Sequence, residues 1–227
     1  MADETFVKVE GLNKTYEAGS EKVHALQDVS FEIKKSQYLA VLGPSGSGKT
    51  TLLTLLGGLD RPTTGRIFLD GVEISNLEEG RLSQIRRRQI GFVFQNYNLV
   101  DELTVLENVG LPLLFEGESW KKMQGRVLEL LGEVGLSGKE RRRPSQLSAG
   151  EQQRAAVARA LANNPSLVLM DEPTGNLDEA NSHALMGLVG KLNRESGITF
   201  VIATHNPEMA KSASSRILLR SGRIMLS

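Results

Sequence analysis

An apolar stretch, Tyr38 to Leu42, runs without interruption into Gly43-Pro44-Ser45-Gly46-Ser47-Gly48-Lys49-Thr50. The octapeptide matches G-x-x-x-x-G-K-[ST], and Thr51 to Leu56 beyond it reads as a helix. Strand, glycine-rich turn and helix in that order suit phosphate. The turn aims consecutive backbone N–H groups at phosphate oxygens and the helix N-terminus adds its dipole. Lys49 then reaches the β and γ phosphates, and the Thr50 hydroxyl is placed to ligate Mg²⁺.

A carboxylate pair belongs to the same expectation. Leu167 to Met170 is continuously apolar, as a strand covered on both faces would be, and it ends in Asp171-Glu172. Such a strand delivers its carboxylates to the sheet edge, where Asp171 would hold Mg²⁺ through water and Glu172 would orient or deprotonate the attacking water. A solvated acidic pair would be the plain reading of these two residues without the loop.

The remaining pattern sets the fold class. Phe6 to Glu10, Val29 to Lys34 and the pair Ile67/Leu69 with Val72/Ile74 across Asp70-Gly71 read as strands, the last as a tight hairpin. Trp120, Met123, Val127, Leu130, Leu131 and Val134 recur at helical spacing up to Gly135. A second helix, about Glu151 to Ala162, stops at Asn163-Asn164-Pro165. Leu185, Leu188, Val189 and Leu192 mark a further helix, Thr199 to Ala203 a buried strand, and Ile217 to Leu219 with Ile224 to Leu226 a terminal hairpin around Ser221-Gly222. Strand and helix alternate, so an α/β fold with a mainly parallel sheet and an N-terminal antiparallel β element is expected. Residues 96–160 read as helical without a strand and are taken as an inserted subdomain of one domain spanning 1–227, with 1–95 and 161–227 as the core.

Composition removes whole classes of function. Among 227 residues, 27 Lys and Arg balance 27 Asp and Glu, so a chain held on nucleic acid by bulk charge is not expected. There is no cysteine, which excludes disulfides, thiolate zinc sites and cysteine nucleophiles. The start, Met1-Ala2-Asp3-Glu4-Thr5, lacks a secretory pattern, and no apolar run approaches the roughly 18 residues of a membrane span. A cytoplasmic chain that reaches a membrane only through a partner is expected.

Four further segments narrow the reading: Phe94-Gln95, Leu147-Ser148-Ala149-Gly150-Glu151, Asn176-Leu177-Asp178 and Thr204-His205. With the phosphate loop and Asp171-Glu172, they make the chain resemble, over nearly its whole length, the nucleotide-binding subunits of ABC transporters. There, such segments are the Q-loop, the signature, the D-loop and the switch histidine. Gly57 to Thr63, Leu106-Glu107-Asn108-Val109 and Pro173 to Asp178 are most similar to the LolD, MacB and FtsE group.

The resemblance implies a P-loop NTPase core and an ATPase that dimerises around ATP and Mg²⁺. It implies that Gln95 senses Mg²⁺ and the attacking water, that His205 contacts the γ-phosphate and that Tyr16 stacks on adenine. Thr51 joins Gly43 to Thr50 against the nucleotide, as does Asp178. Ser148, Ala149 and Gly150 would sit over the γ-phosphate of a second subunit. By residue type alone, Ser148 and Glu151 form a capping box, and the helix end is also an anion site. The segment departs from L-S-G-G-Q in Ala149 and Glu151, and the Ala149 Cβ stands where backbone approaches phosphate.

The implied partner is an integral membrane subunit on the cytoplasmic side of the inner membrane, with lipoprotein release or efflux as the driven process. The alternatives are a cell-division ATPase of the FtsE kind and a nucleic-acid-associated ABC ATPase. The latter usually carries a coiled coil, a zinc module or two cassettes, and none is present between Lys49 and Asp171. A binding module without turnover is disfavoured by Glu172. Arg86-Arg87-Arg88 and Arg141-Arg142-Arg143 are expected as solvated faces, and Tyr97, Leu99 and Val100 as exposed apolar residues. These three would either fill the helical core or form a groove for a short helix of the membrane subunit.

Overall fold

The computed structural model describes residues 5–19 and 21–225; the acidic start Met1 to Glu4, and Leu226 of the expected last strand, lie outside them. The chain opens with β1 (Thr5–Ala18), β2 (Glu21–Lys34) and β3 (Tyr38–Leu42), then α1 (Lys49–Leu56), β4 (Thr64–Leu69), β5 (Val72–Glu73), α2 (Glu79–Gln89) and β6 (Ile90–Val93). Three helices follow, α3 (Val105–Phe115), α4 (Trp120–Glu133) and α5 (Ala149–Ala160). After them come β7 (Leu167–Asp171), α6 (Glu179–Ser196), β8 (Thr199–Thr204), β9 (Ser215–Arg220) and β10 (Arg223–Met225).

Two sheets result. One is antiparallel in the order β2-β1-β4-β5; the other has six strands in the order β10-β9-β3-β8-β7-β6, parallel except for the β9–β10 hairpin. Alternation along the parallel strands separates two cores. Leu39, Val41, Leu167, Leu169, Val201 and Ala203 face α1 and the antiparallel sheet, while Tyr38, Val168, Met170, Phe200 and Ile202 face α3 to α6. Burial on both faces is why the interior positions of these strands are all apolar.

The expected elements are present with adjusted limits. β1 and β2 run 14 residues each, well beyond Phe6–Glu10 and Val29–Lys34. Their outer halves pair Thr15 with His24 and Tyr16 with Val23, mostly exposed residues with no alternation to read. The hairpin at Asp70-Gly71 has φ of 48° and 74°, and Ser221-Gly222 repeats it at 47° and 75°, both in the left-handed region that two-residue turns demand. α5 begins at Ala149, directly after the Ser148 N-cap expected from the capping box, two residues before Glu151.

Helix α2 gives no apolar period: only Leu82 is buried, and Ile85 packs beside it. Contrary to the solvated face expected for Arg86 to Arg88, this run fastens the helix to its surroundings. Arg86 donates to the Gly58 carbonyl at 2.7 Å and pairs with Glu79, and Arg87 donates to the Phe115 carbonyl at 2.7 Å. Arg88 reaches Glu116 at 3.2 Å. Arg141 to Arg143 are exposed.

The loop between β6 and α3 hangs on one buried amide. Asn108, 1% exposed, accepts the Val100 N–H at 2.7 Å and donates to the carbonyls of Val100 and Thr104, each at 3.0 Å. Thr104 caps α3 in a capping box with Glu107. Tyr97 and Leu99 are half-buried against the helical core, so of the three residues expected as exposed only Val100 is so. Replacing Asn108 by alanine leaves those backbone groups unpaired. Asn108→Ala is expected to lower the unfolding free energy by about 3 kcal/mol, as read by urea denaturation; an unshifted midpoint would remove the amide from this role.

Candidate functional site

Four parallel strands end on one edge of the sheet, and each delivers one part of the site: β3 the phosphate loop, β7 Asp171-Glu172, β8 His205 and β6 Gln95. The loop is braced from behind by the terminal hairpin. The Gly222 N–H donates to the Ser47 carbonyl at 3.0 Å, and Gly43 lies so close to the Leu219 carbonyl that a Cβ there would collide with it. Gly48, at φ 104°, turns the chain into α1. The helix starts at Lys49, so its free N–H groups face the loop.

The Lys49 side chain is only 6% exposed. Its ammonium is held by the Gly43 carbonyl at 2.8 Å, the Pro44 carbonyl at 3.1 Å and Glu172 Oε1 at 3.3 Å. The other carboxylate oxygen of Glu172 accepts from the His205 backbone N–H at 3.2 Å and lies 2.9 Å from His205 Nδ1. Glu172 itself is at φ 44°, a left-handed geometry that non-glycine residues adopt only when their surroundings demand it. The expected base thus stands between a lysine and a histidine.

Beside it, the Thr50 hydroxyl donates to Asp171 Oδ2 at 2.8 Å, and Asp171 Oδ1 is buried without a partner. Burial pushes the Asp171 carboxyl above its ordinary range and the Glu172 carboxylate adds to this, while Thr50 and Lys49 oppose it. An orphaned carboxylate oxygen next to a hydroxyl, both hard donors, fits a hydrated Mg²⁺. Ser47 Oγ is likewise buried and unpaired, and Ser45 and Gly46 stand exposed at the loop tip.

The other expected residues divide. Gln95 is exposed; its backbone carbonyl accepts from Asn176 Nδ2 at 3.1 Å. The Tyr16 hydroxyl donates to Asp60 at 2.9 Å and hydrogen-bonds Thr51 on α1, which sets the ring beside the phosphate loop. Lys14 lies 4.7 Å from that ring's centre and also bonds Asp60. Lys14 carried no signal in the sequence, and Asp60 stood out only as part of the Gly57 to Thr63 segment, because neither bond has a local spacing signal.

At the far helix, Ser148 Oγ accepts the Glu151 N–H at 3.3 Å, and Glu151 Oε2 accepts the Ser148 N–H at 2.9 Å, the expected capping box. Lys139 pairs with the same carboxylate and, with the Ser148 N–H, holds Glu151 below the usual range. Ala149 is exposed and Gly150 buried against Asn181, where a Cβ would lie 2.5 Å from Oδ1. Asp178 caps α6, accepting the Asn181 N–H at 2.7 Å.

This geometry has close counterparts. A family model described as ABC transporter matches residues 26–175. The chain belongs to the ABC transporter ATP-binding family. An ABC transporter ATP-binding protein of Thermotoga maritima is 50% identical over 211 residues, covering 93% of this chain and 90% of that one. MJ0796 of Methanocaldococcus jannaschii is 43% identical over 222 residues, 96% and 94% of the two. The dimeric post-hydrolysis structure of MJ0796 bound to ADP and Pi superposes with a TM-score of 0.91 at 42% identity and 97% coverage of each chain. CbiO1 of Clostridium perfringens, part of the cbiONQ transporter complex, gives 0.88 at 30% identity, covering 98% of this chain and 88% of that one. As an ABC cassette this chain is an ATP-binding ATPase subunit. Among the described residues no helix is long and apolar enough to cross a membrane.

The raised Asp171 pKa sets a pH dependence. The folded chain binds this proton more tightly than the unfolded chain does, so the stability it contributes is present below the ordinary carboxylate range. That contribution is lost as pH rises through the raised value. At neutral pH the buried charge is a cost that an amide removes. Asp171→Asn is expected to raise the melting temperature of the nucleotide-free protein at neutral pH, with the gain fading on acidification, while turnover is lost. A lower neutral melting temperature would contradict this account.

Proposed function

We propose that two copies of this chain close around two ATP molecules, and that each Ser148 helix end completes the nucleotide site of its partner. The observation that carries the reading is Glu172, held between Lys49 and His205 and next to the Thr50–Asp171 pair. The dimeric ADP- and Pi-bound form of a relative 42% identical in sequence supports it. In this reading residues 1–227 are one ATPase domain, with 96–160 acting as a helical subdomain against the 1–95 and 161–227 core.

The chemistry follows from the residues. The loop N–H groups and Lys49 hold the β and γ phosphates, and Tyr16 supports the adenine. Mg²⁺, when bound by Thr50 and Asp171 with Gln95 nearby, supplies charge neutralisation between those phosphates. Glu172 accepts the proton of a water whose oxygen attacks the γ-phosphorus; the bond to the β-phosphate oxygen breaks, leaving ADP and phosphate. His205 steadies Glu172 and contacts the γ-phosphate. Glu172→Gln should bind ATP and form a stable dimer in sedimentation while turnover falls by roughly 10² or more. Lys49→Ala should lose nucleotide binding in equilibrium titration. A Glu172→Gln chain that stays monomeric with ATP would sink the dimer reading.

The resemblance of Gly57 to Thr63, Leu106 to Val109 and Pro173 to Asp178 to the LolD and MacB group supports lipoprotein release or efflux as the driven process, through a membrane subunit on the cytoplasmic side. A groove lined by Arg87, Phe92, Phe94, Pro112 and Arg159 suits a short helix of that subunit, and Phe115, 72% exposed, is tied to it through the bond of its carbonyl to Arg87. Phe115→Asp should keep basal ATPase activity and abolish co-purification with the membrane subunit; retained co-purification would move the interface elsewhere.

A further inference from the structure

The segment that carries Gln95 is neither helix nor strand, and Tyr97 and Asn98, two and three residues beyond it, sit in succession at φ 59° and 49°. Two consecutive non-glycine residues in the left-handed region are held there by their surroundings rather than by local preference. Two side chains supply that hold. Arg159, at the end of α5, donates to the Tyr97 carbonyl at 2.7 Å and to the Asn98 carbonyl. Asn176 supplies the other: its Nδ2 donates to the Gln95 carbonyl at 3.1 Å and approaches Asn96 Oδ1 at 3.4 Å, and its amide hydrogen-bonds the Tyr97 hydroxyl.

Asn176 belongs to the turn that begins at the expected base. The Gly175 N–H donates to the Glu172 carbonyl at 3.0 Å and the Leu177 N–H to the Thr174 carbonyl at 3.1 Å, after which Asp178 caps α6. A Cβ on Gly175 would come within 2.9 Å of Gln95 Nε2, so the Gln95 amide lies directly over this turn. One exposed amide therefore joins the loop after β6 to the turn after β7, between the residue expected to sense the attacking water and the residue expected to take its proton. The join requires a donor, because the Gln95 carbonyl can only accept.

We propose that Asn176 is a positioning residue that fixes Gln95 relative to Glu172 by donating to the Gln95 backbone. Motion of the Glu172–Asp178 turn is thereby passed to the loop that leads into α3. This rests on the roles given above to Gln95 and Glu172. In this role Asn176 acts through Gln95, whose backbone carbonyl it holds.

The discriminating variant is Asn176→Asp, which keeps the shape and removes both N–H donors. In the full chain it should lower kcat about tenfold, the order expected when a reacting group is slightly misplaced. The affinity for a fluorescent ATP analogue should stay within about twofold, since no phosphate contact is lost. Asn176→Ala, which adds no charge, should lose kcat in the same direction by a smaller factor. In a Gln95→Ala background, Asn176→Asp should cost nothing further, because residues acting through one another are not additive. Unchanged kcat in Asn176→Asp, or losses that multiply with Gln95→Ala, would overturn the proposal while leaving the site intact. Turnover at the unmutated rate in Glu172→Gln or Gln95→Ala would instead overturn the reading of the site, and this inference with it.

Discussion

Parallel pairing of β3, β8, β7 and β6 is the constraint from which the site descends. Parallel strands point their carboxyl ends the same way, so the loop after each one opens on the same edge. Residues as distant in sequence as Thr50 and Asp171, 121 positions apart, meet at 2.8 Å for that reason. The pairing is held by two cores that sandwich the sheet. Alternate residues of each strand serve one core and then the other, and a one-residue slip would exchange every side chain between them.

Within that edge, electrostatics is arranged around one buried cation. The Lys49 ammonium is surrounded by two loop carbonyls and one carboxylate oxygen of Glu172. A lysine so buried needs such partners. His205 keeps the other Glu172 oxygen in place. Lys49, Glu172 and His205 thus form one connected polar cluster at the strand ends.

The helices between β6 and β7 reach this edge at two points. Arg159 grips the loop beyond Gln95 from the end of α5, and the start of α5 presents Ser148 with its capping box. A rigid 12-residue helix therefore connects the two, with Lys139 and Asn181 packed about its first turn. The groove lined by Arg159 and Ala160 lies at the end of the same helix.

Much of this was legible in the sequence because it is written locally. The phosphate loop has fixed spacing, the capping box at Ser148 is an i, i+3 pattern, the buried strands are continuous apolar runs, and both hairpins carry an acidic or hydroxyl residue before glycine. These depend only on neighbours along the chain. Helix α2 was invisible because it is secured by arginine-to-carbonyl bonds rather than an apolar face. The outer halves of β1 and β2 lacked alternation, and Tyr97 and Leu99 looked exposed because their polar neighbours hid the core they pack on. Asn108, Asp60 and Asn176 act through bonds whose partners or consequences lie elsewhere in the chain or along its backbone. The sequence by itself determined the residue types of the site and the local turns that present them. Only the tertiary structure decided which carboxylate meets which hydroxyl, because hydrogen bonds between distant loops are set by sheet order, and sheet order leaves no periodic trace.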